Sequence, residues 1–294
     1  MYEKVFLNKY GFYELKNKPF VEDMKKDFEN CYFQNSKGNY ENTYSENDKK
    51  FFDYKMRQKR IIIEKNITFK SEKEKTFLDI GCGEGYAIKY FYLQGYDVCG
   101  IDFSKYGIEQ NNPDMLPYFI QGDCIDKLKK LNCMGKQYKV INMDESLDMM
   151  LDLKTVLNLC NTMLCDDGVL IIKVANNYSV LQRHLLNNKM IDNEFWLDEE
   201  GHPYYFNKNG LINLLDDFGF NCEEVYGESF IDLNLFNENT NYQKNRTVGK
   251  SCYLSRIDLE LFMNSISEDK TLEVFKTLGE MGLGREIIGV FKKR

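Results

Sequence analysis

The chain has 294 residues, room for one large domain or two small ones. Hydrophobic residues at 43% and aromatics at 14% supply a core, which excludes global disorder. A net charge of −7 argues against a general nucleic-acid surface, which would be strongly basic, although a local basic patch is compatible with it. The nine cysteines are an odd number with no Cys-x-x-Cys pair, and the histidines are His184 and His202. This reads as reduced, packed thiols, with no metal cluster expected. Residues 1–9 lack the apolar stretch of a signal peptide, and no window approaches the ~18 apolar residues of a membrane span. The expected compartment is the cytoplasm.

Residues 1–65 read as an N-terminal helical segment carrying a polar stretch, Asn35 to Lys50, punctuated by Tyr40 and Tyr44. That stretch is either a surface loop or a lid whose tyrosines close over a ligand. From Phe51 to Lys65 the residues Phe51, Tyr54, Gln58 and Ile61/Ile62 mark one face of a helix. The main domain is expected over 66–294. Thr76 to Ile80 reads as a short buried strand containing Asp79. Gly81, Gly83 and Gly85 follow at alternate positions, then an amphipathic helix over Tyr86 to Leu93. Strand, glycine turn and helix open a βαβ nucleotide-binding unit. The glycines permit positive φ and close approach of a ligand, and the helix start offers N–H groups to an anion. The dinucleotide fingerprint has its third glycine one residue later, so the spacing argues against a nicotinamide oxidoreductase.

A second strand, Gly95 to Asp102, ends in an acid roughly 20 residues past the glycine turn, where a carboxylate accepts from ribose hydroxyls. Tyr118 to Gln121 is a third strand, followed by Gly122-Asp123-Cys124; Asp123 is alternatively a cap for a helix over 125–131. A fourth strand runs from Tyr138 to Asn142, with Met143 next. A helix over 153–164, a tight turn at Asp166-Asp167-Gly168 and an apolar strand from Val169 to Ala175 come after it. Asn176 then lies at a strand's carboxyl end, where open α/β sheets bind ligands. Phe195-Trp196 and His202-Pro203-Tyr204-Tyr205-Phe206 precede a helix over 209–218 and a strand over 221–228. A helical insert over about 231–284, with stretches at 255–267 and 270–281, separates these from a last strand over 285–293.

Asp79-x-Gly81-x-Gly83-x-Gly85, with Asp102 and Asp123 behind it, resembles motif I and the following acids of class I S-adenosylmethionine-dependent methyltransferases. The resemblance implies an α/β fold: a Rossmann-like seven-stranded sheet with helices on both faces and an antiparallel hairpin at its end. It implies S-adenosylmethionine as cofactor. Motif I contributes Asp79, Gly81, Cys82, Gly83 and Gly85. Asp102 would meet the ribose, Phe103 the adenine face, and Asp123 beside Cys124 the adenine amino group. Asn142 and Met143 would line the site near the transferred methyl. Arg57 would reach the methionine carboxylate, if it is not simply a solvated helix arginine. Asn142-Met143-Asp144-Glu145 departs from the Asn/Asp-Pro-Pro-aromatic run of nucleic-acid amino-methyltransferases, so no nucleic-acid substrate is expected. The Glu-His pair of many small-molecule members is matched here by Asp148-Met149, without the histidine.

His202-x-x-Tyr205-Phe206, Asn241-Tyr242 and Gly282 to Arg285 look like a narrower bacterial group, found with surface-polysaccharide biosynthesis, including capsule and methyl phosphoramidate decoration. This implies a small-molecule acceptor, a sugar or nucleotide-linked sugar, held by Tyr40, Tyr44, Asn176, Trp196, Tyr204 and Tyr205. An alcohol acceptor needs a base, and His202 is the candidate. Asp144 and Glu145 are runners-up, and His184, among leucines, reads as structural. The histidine and its aromatic neighbours can equally be core. Two other readings stand beside this one: methylation of a phosphoramidate or other anionic oxygen, and a catalytically silent cofactor-binding module.

Overall fold

The computed structural model describes residues 3–20, 44–199 and 201–294. Tyr40 and the stretch 35–43 lie outside them. The chain begins with β1 (Val5–Leu7) and β2 (Tyr13–Leu15), then α1 (Glu46–Asn66), β3 (Thr76–Ile80), α2 (Tyr86–Leu93) and β4 (Asp97–Asp102). It continues with α3 (Tyr106–Asn111), β5 (Phe119–Gln121), α4 (Cys124–Cys133), β6 (Tyr138–Asp144), α5 (Leu153–Met163) and β7 (Leu164–Ala175). The remainder is α6 (Val180–Asn187), β8 (Tyr204–Tyr205), α7 (Lys208–Asp217), β9 (Phe220–Glu228), α8 (Gly249–Ile266), α9 (Glu268–Glu280) and β10 (Glu286–Lys293).

Seven strands form one sheet in the order β5-β4-β3-β6-β7-β10-β9. β3 pairs in parallel with β4 on one side and β6 on the other, and β4 pairs in parallel with β5. The chain therefore leaves β3 in two directions, and the switch point lies between β3 and β6, where open α/β sheets bind ligands at the carboxyl ends of their strands. The last strand is inserted between β7 and β9, which gives the expected seven-stranded α/β fold flanked by helices.

Among the described residues, two compact units divide the chain. One comprises 19–20, 44–172, 215–221 and 290–294. In it Phe77, Leu78 and Ile80 of β3 are fully buried. The Phe77 ring stacks on Phe91 of α2 with centroids 4.2 Å apart, and Tyr96 meets Phe91 edge-on at 5.1 Å. Removing each such ring from water stabilises by about 1.5–3 kcal/mol, which fixes α2 against the sheet. α1 starts five residues earlier than periodicity alone suggests, because Ser45 and Asp48 form a capping box: Asp48 N donates to Ser45 Oγ and Ser45 N to the Asp48 carboxylate.

The other unit comprises 3–18, 173–199, 201–214 and 222–289. Here a helical N-terminal segment was the expectation, but residues 5–7 and 13–15 are strands. β1 and β2 form an antiparallel hairpin, and β2 pairs antiparallel with β8 through Tyr13 opposite Tyr205. Val5, Leu15, Tyr178, Leu181, Leu185, Trp196 and Tyr205 share its core. The insert before β10 is helical as expected, with α8 beginning earlier, at Gly249. The turn expected at Asp166-Asp167-Gly168 is instead part of β7. A Cβ on Gly168 would lie 2.8 Å from the Lys139 carbonyl oxygen, so this glycine answers to the close approach of β6.

Candidate functional site

The glycine turn is held from the next strand. Gly81 N and Cys82 N both donate to the Ile101 carbonyl, at 2.8 and 3.0 Å. Gly83 N donates to Asp102 Oδ2 at 2.9 Å, and Ser104 N to Asp102 Oδ1 at 3.0 Å. These N–H groups thus have partners within the protein, and the turn is not an open anion cradle of the kind that takes a pyrophosphate. Gly81, Gly83 and Gly85 all have positive φ. At Gly81 and Gly85 the protein itself demands glycine: a Cβ would meet Ser146 Cβ at 2.6 Å and Ile108 at 3.0 Å.

Acids gather at the strand ends. Asp79 on β3 accepts from Asn142 Nδ2 at 2.6 Å. The other end of the same amide, Asn142 Oδ1, accepts from Lys59 Nζ of α1 at 2.7 Å, and Lys59 is also paired with Asp144. Asp79, Lys59 and Asn142 are 3%, 4% and 0% exposed, so this is a buried network in which every bond counts. Burial pushes the Asp79 carboxyl up to about 7; the Asp144 charge adds to the rise, while Lys59 and the Asn142 bond oppose it. Burial likewise raises Asp102, against the pull of its backbone donors.

The start of α1 reaches the turn as well. Tyr44 Oη donates to the Glu84 carboxylate, 2.9 and 3.0 Å from its two oxygens, and Asn111 Nδ2 donates to it at 3.2 Å. Tyr44, Phe52 and Tyr86 pack mutually, with centroids 4.7 to 6.1 Å apart. Burial pushes Glu84 up to about 7 despite the Tyr44 bond. Between its ordinary value of 4.5 and about 7, the folded chain keeps a proton that the unfolded chain has lost. Stability therefore falls as pH rises through that window. Glu84→Gln, which retains an acceptor for Tyr44, should raise Tm by a few degrees at about pH 8, at roughly 2–4 °C per kcal/mol. At about pH 4.5 it should change little. Thermal melts at both pH values test this, and equal shifts at the two would refute a charge penalty at Glu84.

A family profile described as methyltransferase domain matches residues 53–225, more than half of the chain. The chain belongs to the methyltransferase-domain family. Its cofactor is S-adenosylmethionine. No curated protein matches it. Among solved structures, the chain is similar to a S-adenosylmethionine-dependent methyltransferase of Archaeoglobus fulgidus, with 18% identity over 82% of this chain and 94% of that one and a TM-score of 0.46. A S-adenosylmethionine-dependent methyltransferase of Clostridium acetobutylicum gives 12% identity, 83% and 91% coverage and 0.45. Magnesium protoporphyrin IX methyltransferase of Synechocystis, with bound S-adenosylhomocysteine, gives 16%, 63% and 82%, and 0.42.

The residues of the methyltransferase suit this cofactor in charge. S-adenosylmethionine carries a sulfonium and an ammonium, and buried or half-buried acids at the ends of β3, β4 and β6 supply the opposite sign. Asp102 accepts Gly83 N on Oδ2 and Ser104 N on Oδ1, and a carboxylate so held has further lone pairs of the kind a ribose hydroxyl can use. Phe103 is half-buried beside it. Asp123 caps α4, its Oδ1 accepting from Asp126 N at 3.1 Å, and Cys124 follows as a buried thiol. Cys82 is buried against Gly100, and burial raises its thiol well above the usual range. Met143 is fully buried. Arg57, the expected carboxylate partner, is on the exposed side of α1, and the cation that the helix buries toward β6 is Lys59. Nothing in the sequence singles out a buried lysine next to Arg57; only its place beside Gln58 on the apolar face hints at it.

The expected acceptor residues other than Tyr40 and Tyr44 fall in the second unit, and several are packing residues there. Trp196 and Tyr205 sit in the core, and Tyr205 Oη donates to the Asp198 carbonyl while accepting from Asp198 N at 3.1 Å. Tyr204 is buried between Phe12 and Lys18, whose Nζ donates to its hydroxyl at 3.0 Å. Asn176 is buried and anchors the approach to β10, its Nδ2 donating to Gly282 and Gly284 carbonyls at 3.0 Å each. Of the two readings of Trp196, Tyr204 and Tyr205, an aromatic wall or core, their burial accords with core packing: such rings gain most by leaving water altogether. His202 is half-exposed in the turn before β8, while His184 is exposed on α6 and lies tilted over Phe236 at 5.9 Å. Glu145 adopts a positive φ of 49°, and Asp148 is buried.

If Asp102 anchors both turn and ribose, Asp102→Ala should weaken S-adenosylmethionine binding by about 1.5–3 kcal/mol, the range for hydrogen bonds to a charged group. NADH should bind neither protein. Calorimetry with both ligands checks this, and tight NADH binding would contradict the spacing of the glycines.

Proposed function

We propose that this methyltransferase moves the methyl group of S-adenosylmethionine to a hydroxyl of a small molecule, a sugar or nucleotide-linked sugar of surface-polysaccharide biosynthesis. The cofactor would be held by Asp79, Gly83, Asp102, Phe103 and Asp123 around the switch point between β3 and β6. The single observation that carries the hydroxyl reading is His202, half-exposed in the turn before β8. The resemblance of 202–206, 241–242 and 282–285 to the polysaccharide-associated group supports the acceptor class.

When bound, the cofactor supplies an electrophilic methyl carbon on a sulfur that keeps the C–S electron pair. The chain's own residues do the rest. The acids at the strand ends hold the cationic part, Asp102 fixes the ribose, and His202 takes the acceptor hydroxyl proton as the new O–CH3 bond forms. Positioning and one proton transfer are the whole of the protein's chemistry.

An anionic acceptor is the second reading, favoured by Arg285. Its guanidinium lies over Phe195 at 4.9 Å with a quarter of the side chain exposed, 3.9 Å from Asp232. A phosphoramidate or phosphate oxygen would pair with it and need no base. Methyl transfer assayed by S-adenosylhomocysteine release, over a panel of sugars, nucleotide-linked sugars and sugar phosphates, tests both. Cofactor binding without transfer to any of them would favour a silent binding module.

A further inference from the structure

The buried Lys59 serves more than the packing of α1. Its ammonium occupies Asn142 Oδ1 at 2.7 Å, so the amide's other end must face Asp79, at 2.6 Å. Flipping the amide would set an NH2 against an ammonium and a carbonyl against a carboxylate, two buried repulsions at once. Lys59 also pairs with Asp144, two residues along β6. One cation thus stands between two acids and dictates the orientation of the amide that touches the first.

We propose that Lys59 is a positioning residue of the cofactor site, fixing the Asn142 amide and through it Asp79, and offsetting the charge of Asp144. The proposal rests on the cofactor reading given above. Asp79 faces charged or titratable groups from each neighbouring element: Lys59 on α1, Asp144 on β6, Asp102 and Cys99 on β4, Cys82 in the turn and Cys124 at the start of α4. Lys59 is the group that favours the carboxylate, together with the Asn142 bond; Asp144 and Asp102 disfavour it. A cationic ligand binds the ionised form, so affinity falls as pH drops through about 7, where Asp79 titrates.

The test is calorimetry of S-adenosylmethionine with the full chain across about pH 6–9. Lys59→Met should raise the midpoint of the affinity profile by about one unit, which is about tenfold weaker binding near neutral pH and a smaller deficit at high pH. Lys59→Arg should restore most of it. Asp144→Asn removes the opposing charge, leaves Lys59 to Asp79 alone, and should move the midpoint down. Opposite movement in two folded variants is not what lost packing produces. A folded Lys59→Met that tracks the wild type, or that weakens binding equally at every pH, overturns the proposal. Should Lys59→Met fail to fold, an unmoved midpoint in Asp144→Asn overturns it equally. Absence of binding by the wild type would instead overturn the cofactor reading, and this inference with it.

Discussion

With His202 replaced by alanine, turnover at saturating cofactor is expected to drop about 10²–10⁴-fold, the usual worth of a positioned general base. Cofactor affinity should barely move, because the acids and the glycine turn are unchanged. The kcat profile should lose the acidic limb that a general base gives, because the base must be deprotonated to act. Saturating cofactor matters here. Asp79 titrates at about 7 and would place a limb of its own in kcat/KM for the cofactor. A variant with near-normal kcat would reject the base and turn attention to Arg285 and an anionic acceptor, for which no proton has to be removed.

Gly83→Val is expected to abolish measurable S-adenosylmethionine binding while the protein stays folded. Gly83 has φ of 49°, in the left-handed region where a β-branched residue is a true outlier. Its N–H is the one that joins the turn to Asp102. Valine would therefore strain the turn, and its side chain would stand where the backbone should approach the ligand. The strain costs about 1–2 kcal/mol, a fraction of the stability of a domain this size. Circular dichroism establishes the fold and calorimetry the binding. Normal affinity in a folded variant would show that the turn does not touch the cofactor.

The nucleotide-binding half was readable because its signals are local. Thr76–Ile80 and Tyr86–Leu93 follow from an apolar run, three glycines and an amphipathic period within eighteen residues, and the structure places both elements over those residues. Strand-end acids could be found by counting from the turn. The N-terminal hairpin was not readable: strands of three residues carry no period, and their partner is Tyr204–Tyr205, far along the chain. The same blindness hid Lys59. Burial of a lysine depends on which acids face it, and Asn142 and Asp144 are on β6, more than eighty residues later. Trp196, Tyr204 and Tyr205 were ambiguous in the opposite sense. A ring that lines a pocket and a ring that fills a core look alike in sequence; here burial of all three, and the partners of the Tyr204 and Tyr205 hydroxyls, distinguish them.

The pairing of β2 with β8 has a consequence for how the chain is made. β1 and β2 are synthesised well before the strand that completes their sheet, and that strand, with the Tyr178, Trp196 and Leu235 side chains that bury Val5 and Leu15, comes after residues 44–172 of the glycine-turn unit. At roughly 5–20 residues per second, the wait is on the order of ten seconds or more. Throughout it the hairpin has a bare edge and no core, while 44–172 can already close around β3. The hairpin is therefore fixed later than residues 44–172, which follow it in the chain, and a nascent chain stalled before β8 would expose that edge to pairing with a neighbour.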